Sequence, residues 1–210
     1  VPVNIRDLRT RLDEVTKTKE NRNSQPDLVA AIPGCTVRAV AEDDARLPKA
    51  ETYNCFMYAL ALADSEDYAI LTAQFRLTPQ LTTFGADARF MRHLIQDRLL
   101  NEIPHECAVT NDIVVYSDNA DLQHAGKLFG LRVVSKWGDG LLWEHAIHEV
   151  PGIYGDSVAF YRHLSRKAAE SAFANYTAIT RELDPIQVQR LLEQRRSRLG
   201  ATSRAGTANT

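Results

Sequence analysis

Cysteine is scarce in this chain: three residues in 210, Cys35, Cys55 and Cys107, with no Cys-x-x-Cys spacing. An odd number leaves at least one thiol unpaired, so free thiols in a reducing compartment are the simplest reading. A Cys35–Cys107 disulfide is the alternative that the sequence leaves open. Excess charge of one sign is also lacking. The formal net charge is −2, so nothing in the overall balance points to nucleic acid. No run of 18 apolar residues occurs, which excludes a membrane-spanning helix. The first residues, Val1-Pro-Val-Asn-Ile-Arg-Asp7, have neither the basic nor the apolar region of a secretory signal, and no initiating Met. The expectation is a chain that is cytoplasmic as made, or exported without a cleavable signal peptide. Internal repeats are absent too.

What remains is an ordinary globular composition, 44% hydrophobic and 25% charged, enough for one sizeable core. Ile5, Leu8, Leu12 and Val15 recur at helical spacing, and Asn4 is placed to cap that helix. Residues 21–27 read as a loop. Residues 32–50, with Pro33-Gly34, the acidic cluster at 42–44 and Pro48, read as irregular around a short strand at Thr36–Val40. A helix from about Asn54 to Ala63 is apolar all round, the mark of burial. Asp87–Leu100 predicts a second helix, with Phe90, Met91, Leu94, Ile95 and Leu99 on one stripe. The texture then changes. Asp112–Tyr116 is β-branched and short, Ser117-Asp-Asn119 is turn chemistry, and 125–129 and 132–137 read as strands joined at Gly130-Leu131. Further strands are expected over 143–150 and 157–161. Asp184-Pro185 starts a closing helix over Ile186–Leu199, and 200–210 read as a disordered tail. Helices followed by strands indicate an α+β fold. The domain plan is an N-terminal helix and irregular extension (1–50), a core (51–163), C-terminal helices (164–199) and the tail.

Cys55 is the residue most suggestive of chemistry. It stands at the head of the buried apolar helix, where unpaired N–H groups and the helix dipole favour thiolate over thiol. A nucleophilic Cys needs a base, and the base needs a group to orient it. His124, 69 residues downstream, opens an apolar strand and is the best base. The small Ala125-Gly126 beside it leave room for substrate and for the Cys-bearing helix. If Gly130-Leu131 forms a two-residue turn, Gly126 pairs with Ser135 and His124 with Trp137, so Ser135 shares the His124 face while Lys136 points away. Ser135 ranks first as the orienting group and Lys136 second. The oxyanion would meet the backbone N–H of Cys55, with Tyr53 and Asn54 as the nearest side-chain candidates. Trp137 and His145 are candidates for lining a substrate cleft, although both tryptophans suit a core equally. His145 and His148 fall on opposite faces of an extended segment, so no metal site is expected and no cofactor is implied. Cys35 and Cys107 read as structural. The basic run at 190–198 reads as a solvated helix face.

The segments Tyr53-Asn-Cys55, Asp112-Ile-Val-Val-Tyr116, Gln123-His-Ala-Gly126 and Val134-Ser-Lys-Trp-Gly138 resemble the NlpC-type papain-like cysteine peptidases and amidases. The likeness runs on through Glu144-His145 and Tyr154-Gly155 to Phe160-Tyr-Arg162, in the manner of an uncharacterised bacterial branch. It covers roughly residues 50–163 and implies a papain-like core with Cys55 as nucleophile and His124 as general base. It further implies a cysteine hydrolase that cleaves an amide bond in a peptide, peptidoglycan or protein substrate, with an antibacterial effector toxin among the roles of that family. An acyltransferase or deamidase on the same scaffold, or a non-catalytic binding module, are the alternatives. The terminal helices suit a protein partner.

Overall fold

The computed structural model describes residues 4–17, 23–40, 52–76, 85–138 and 140–206. Its centre is a seven-stranded antiparallel sheet in the order β1-β6-β5-β4-β3-β7-β2. The strands are β1 (Arg38–Ala39), β2 (Glu102–Ile103), β3 (Ile113–Asp118), β4 (Asp121–Phe129), β5 (Arg132–Lys136), β6 (Leu142–His145) and β7 (Ser157–Tyr161). β3 to β6 form the expected meander, and β7 returns to the far side of β3. Two tight turns fix its register. Asn119 and Ala120 both take positive φ, 47° and 69°, between β3 and β4, as a primed turn requires. Gly130, at φ 60°, supplies the same freedom between β4 and β5. The two-residue turn there gives Phe129↔Arg132 and Gly126↔Ser135, the register expected from the sequence.

Because side chains alternate across a strand, this register divides the core in two. Ile113, Val115, Ala125 and Tyr161 point to one face. There α3 (Cys55–Ala59), α4 (Glu66–Arg76), α5 (Ala88–Gln96), α6 (Arg166–Thr180) and α7 (Pro185–Gly206) supply Phe56, Leu71, Phe90, Phe173 and Leu192. Val114, Tyr116, Leu128, Val133, Trp143 and Phe160 point to the other. α1 (Ile5–Thr16) and α2 (Gln25–Ala30) close that face with Leu8, Leu12 and Val29.

The N-terminal segment is therefore part of the core structure, not an extension: β1 pairs with β6, and α1 and α2 cover a whole sheet face. Asn4 caps α1 as expected, accepting from the Arg6 amide at 3.0 Å. The Asp87-capped α5 buries Phe90, Met91 and Leu94 but ends at Gln96. Arg98 turns to φ 57°, which leaves Leu99 44% exposed. α3 is likewise shorter than its apolar run, because Ala61 turns to φ 55° while Leu62 stays buried. α4 and α6 are helices that the sequence reading did not delimit. α7 runs on to Gly206, which corrects the disordered tail over 200–206; residues 207–210 lie outside the described part, as does the acidic cluster at 42–44. The basic face of α7 is solvated and also reaches α4, through Arg196 to Asp67 and Arg195 to Gln74. No described helix is long and apolar enough to cross a membrane.

Candidate active site

Cys55 opens α3, and Asn54 shapes that opening. The Asn54 side chain accepts from the Met57 amide at 2.9 Å, its carbonyl accepts from the Tyr58 amide at 3.1 Å, and its amide donates to the Ala86 carbonyl at 3.0 Å. The cap satisfies the Met57 amide, one of those that a helix start leaves unpaired, and the Tyr58 bond is the first regular bond of the helix. The amides of Cys55 and Phe56 remain, and both act to lower the Cys55 thiol pKa. The Ala125 backbone also acts to lower the thiol pKa. Strand parity explains how it can. Phe129↔Arg132 closes the β4–β5 hairpin, so Lys127 and then Ala125 aim their amides at β5, yet the ladder ends at Gly126↔Ser135. Ala125 is left beyond the last rung, and the head of α3 occupies the gap.

Lys136 reaches the same place from β5. It is fully buried. Its ammonium donates to the Gly138 carbonyl at 3.1 Å and the Gly140 carbonyl at 2.6 Å, lies 5.1 Å from the centroid of the Tyr53 ring, and its charge acts on the Cys55 thiol. Lys136 does point away from His124, as its strand parity requires, and that direction brings it to the thiol. Sequence reasoning ranked it only as an alternative orienting group. The missing signal was the strand end, since Ala125 and Lys136 face each other just past the last paired residues.

Burial works against the expected thiolate. Burial pushes the Cys55 thiol up to about 11, against the hydrogen bonds from Ala125, Phe56 and its own amide and against the Lys136 charge. The helix is only five residues long, little more than one turn, so its dipole is small.

His124 lies on the opposite sheet face, paired with Tyr116. It is 1% exposed, and neither ring nitrogen has a hydrogen-bond partner. Burial, with His145 beside it, holds its pKa well below the usual imidazole value. Tyr154, at the end of a 3₁₀ turn over Gly152–Tyr154, stacks on the imidazole with centroids 3.9 Å apart and planes 6° from parallel. Burial raises the Tyr154 hydroxyl, and the next cause is the charge of Cys55. Tyr154 therefore touches the imidazole and lies within electrostatic reach of the sulfur.

Ser135 shares the His124 face but does not orient His124. Its hydroxyl contacts His145 Nε2 at 2.8 Å and accepts from Trp137 Nε1 at 3.0 Å, while His145 Nδ1 contacts the Ala146 carbonyl at 2.8 Å. Gly126 explains why Ser135 sits so deep. A Cβ at Gly126 would lie 2.7 Å from Val133 Cγ1 and 2.8 Å from Ser135 Cβ, so the missing side chain admits β5 side chains, not substrate. Ala125 is the small residue that makes room for α3.

The four substrate-binding candidates are all tied into the fold by contacts of their own. Tyr53 is buried under Lys136, and Asn54 is committed to its cap. Trp137 stacks on Trp143 at 5.1 Å, and His145 is fully buried in the Ser135 chain. Burial pushes the His145 pKa down to about 4. All three cysteines are free, with Cys107 exposed, so Cys35 and Cys107 form no disulfide. Among the described residues, no three His, Cys, Asp or Glu gather as a metal site. No curated protein and no solved structure matches the chain. One family model does, over residues 45–162. That stretch carries Cys55, His124, Lys136 and Tyr154 and stops short of α1, α6 and α7. It is more than half of the chain, which therefore belongs to the family described as Domain of unknown function (DUF7689).

Proposed function

We propose that this protein is a papain-like thiol enzyme of the NlpC type, in which Cys55 attacks an amide carbonyl and His124 moves the proton. The observation that carries this reading is the buried imidazole of His124 with two unpartnered nitrogens, one residue before Ala125, whose backbone acts on the Cys55 thiol. An unmade hydrogen bond on a buried polar group costs about 1–3 kcal/mol, and such groups cluster where a partner arrives during function.

Both groups start neutral, because burial opposes the imidazolium and the thiolate alike. The proton therefore passes from Cys55 to His124 as the sulfur–carbon bond forms, in the manner of general-base catalysis. The amides of Cys55 and Phe56 act on the thiol and are the donors available to the oxyanion. The imidazolium then gives its proton to the departing amine, which breaks the carbon–nitrogen bond and leaves an acyl group on Cys55. Water, activated by His124, releases the acid and restores the thiol. An amine in place of water would make the same enzyme a transferase, and a side-chain amide as substrate would make it a deamidase. A peptide stem of peptidoglycan is the first substrate to test, given the resemblance.

A second reading, a papain-like binding module without activity, draws on one observation: Ser135 is bonded to His145, which leaves the base without a polar orienting group. p-Nitrophenyl acetate followed by intact-mass analysis separates the two. The catalytic reading expects one acetyl group on Cys55, none there in Cys55→Ala, and about 100-fold slower labelling in His124→Asn. Acetylation of exposed Cys107 with Cys55 untouched would favour the binding module.

A further inference from the structure

The catalytic reading lacks an orienting group for His124, and the structure supplies one of another kind. We propose that Tyr154 is the positioning residue for the His124 imidazole, acting as a stacked aromatic plate that Arg9 of α1 holds in place. This inference rests on the proposed role of His124.

The plate is placed with care. Tyr154 closes a short turn between Pro151 and Gly155. Gly155, at φ 93°, lets the chain pass so close to β3 that a Cβ there would lie 2.2 Å from the Ser117 carbonyl oxygen. Arg9 is nearly buried and spans the whole turn. Its guanidinium donates to the Val150 carbonyl at 3.2 Å and the Gly155 carbonyl at 2.6 Å, and pairs with Asp156 at 2.6 Å. Asp13, one turn along α1, accepts from the Ile153 amide at 3.2 Å. Five planar donors in a fixed fork suit such a clamp. The turn therefore moves only if α1 moves, and the ring it carries covers one side of the imidazole.

The rest of the His124 surroundings cannot do this work. Tyr116 lies 5.7 Å from the imidazole at a tilt of 43°, and its hydroxyl is committed to the Ile147 carbonyl. His145 is committed to Ser135 and Ala146. The charge that acts on the imidazole from a packed element is that of His145. Near-parallel contact fixes the plane of a ring but leaves both edge nitrogens open. A base must keep those nitrogens open on the side of the nucleophile, so stacking orients His124 without occupying them.

The test follows the imidazole directly. The full chain is labelled with ¹⁵N-histidine, and the His124 ring signals are identified by their loss in His124→Asn. In the wild type they should be narrow and should not titrate between about pH 6 and 8, because the covered ring stays neutral. Tyr154→Leu should broaden them and bring titration towards about pH 6.5. Tyr154→Phe, which keeps the ring, should restore the wild-type signals. Arg9→Met should shift them in the same direction as Tyr154→Leu, by less. Wild-type signals in a folded Tyr154→Leu chain overturn the proposal. Should that variant not fold, unchanged signals in Arg9→Met overturn it instead. Acetylation of Cys55 is scored separately: its absence from the wild type removes the catalytic reading, whatever the imidazole signals show.

Discussion

The two faces of the sheet solve different problems. The α3 face is a large helical core into which one charge, Lys136, and one thiol, Cys55, are set at the margin, both reaching the same strand end. The α1 face buries three polar side chains in a row, His124, Ser135 and His145, among Tyr116, Trp137, Trp143 and Tyr154. Two of the three satisfy each other, and His124 satisfies nothing. Ser135 and His145 meet each other's needs, while the His124 imidazole, like the Trp143 indole nitrogen in the same cluster, is buried without a hydrogen-bond partner. On the proposed reading the chemistry belongs to neither face alone: Cys55 comes from the α3 face and His124 from the α1 face.

Acid should break this asymmetry most strongly. An unfolded chain takes up protons on both imidazoles at about pH 6.5, while the folded core resists them, with His145 at about 4 and His124 well below its usual value. Below pH 6.5 the unfolded state therefore binds more protons, and stability that is present above that pH is lost as the pH falls towards 4. For His145 alone the loss is about 3 kcal/mol. Urea titrations across pH 4–7 measure it, and His145→Phe should flatten the slope. A slope unchanged by that substitution would mean that the α1 face holds its imidazoles no differently from surface residues.

Gly126→Ala tests the close fit between β4 and β5 on the same face. Its Cβ would strike Val133 and Ser135, a clash with backbone-anchored atoms that should cost about 3 kcal/mol. Chemical denaturation reads this directly. Labelling of Cys55 in the surviving folded fraction shows whether the strand end has also moved.

The smallest expected effect sharpens the α3 side. Lys136→Met removes a charge that lowers the thiol pKa. The apparent pKa for Cys55 alkylation should rise by about one unit, with Cys107 as internal control. Lys136→Arg should keep most of the effect. An unmoved profile would assign Lys136 to its carbonyl bonds alone.

The sequence announced the meander, its turns and the partners Gly126 and Ser135, because period-two patterning and Gly130-Leu131 leave little freedom of register. It also announced the capping of α1 by Asn4 and a helix beginning at about Asp87. It did not announce that residues 1–40 complete the sheet, since β1 is two residues long and α2 carries no strong periodicity. Cys55 and His124 stood out by their neighbours. Lys136 and Tyr154 did not, because their roles depend on where one ladder ends and on a clamp from 145 residues away in the chain, between Arg9 and the turn at 152–154. Local patterning holds neither fact. The raised thiol pKa was illegible for a related reason: a helix start looks electropositive in sequence, while its length and burial are decided by the fold.

Reaction with 1,3-dibromoacetone, a short reagent that alkylates twice, tests the central claim most directly. If Cys55 and His124 meet at the strand end, peptide mapping will show the two bridged by a single three-carbon link, and Cys55→Ala will abolish it. Cys55 alkylated at one end only, or bridged to some other residue while His124 stays unmodified, would contradict the account.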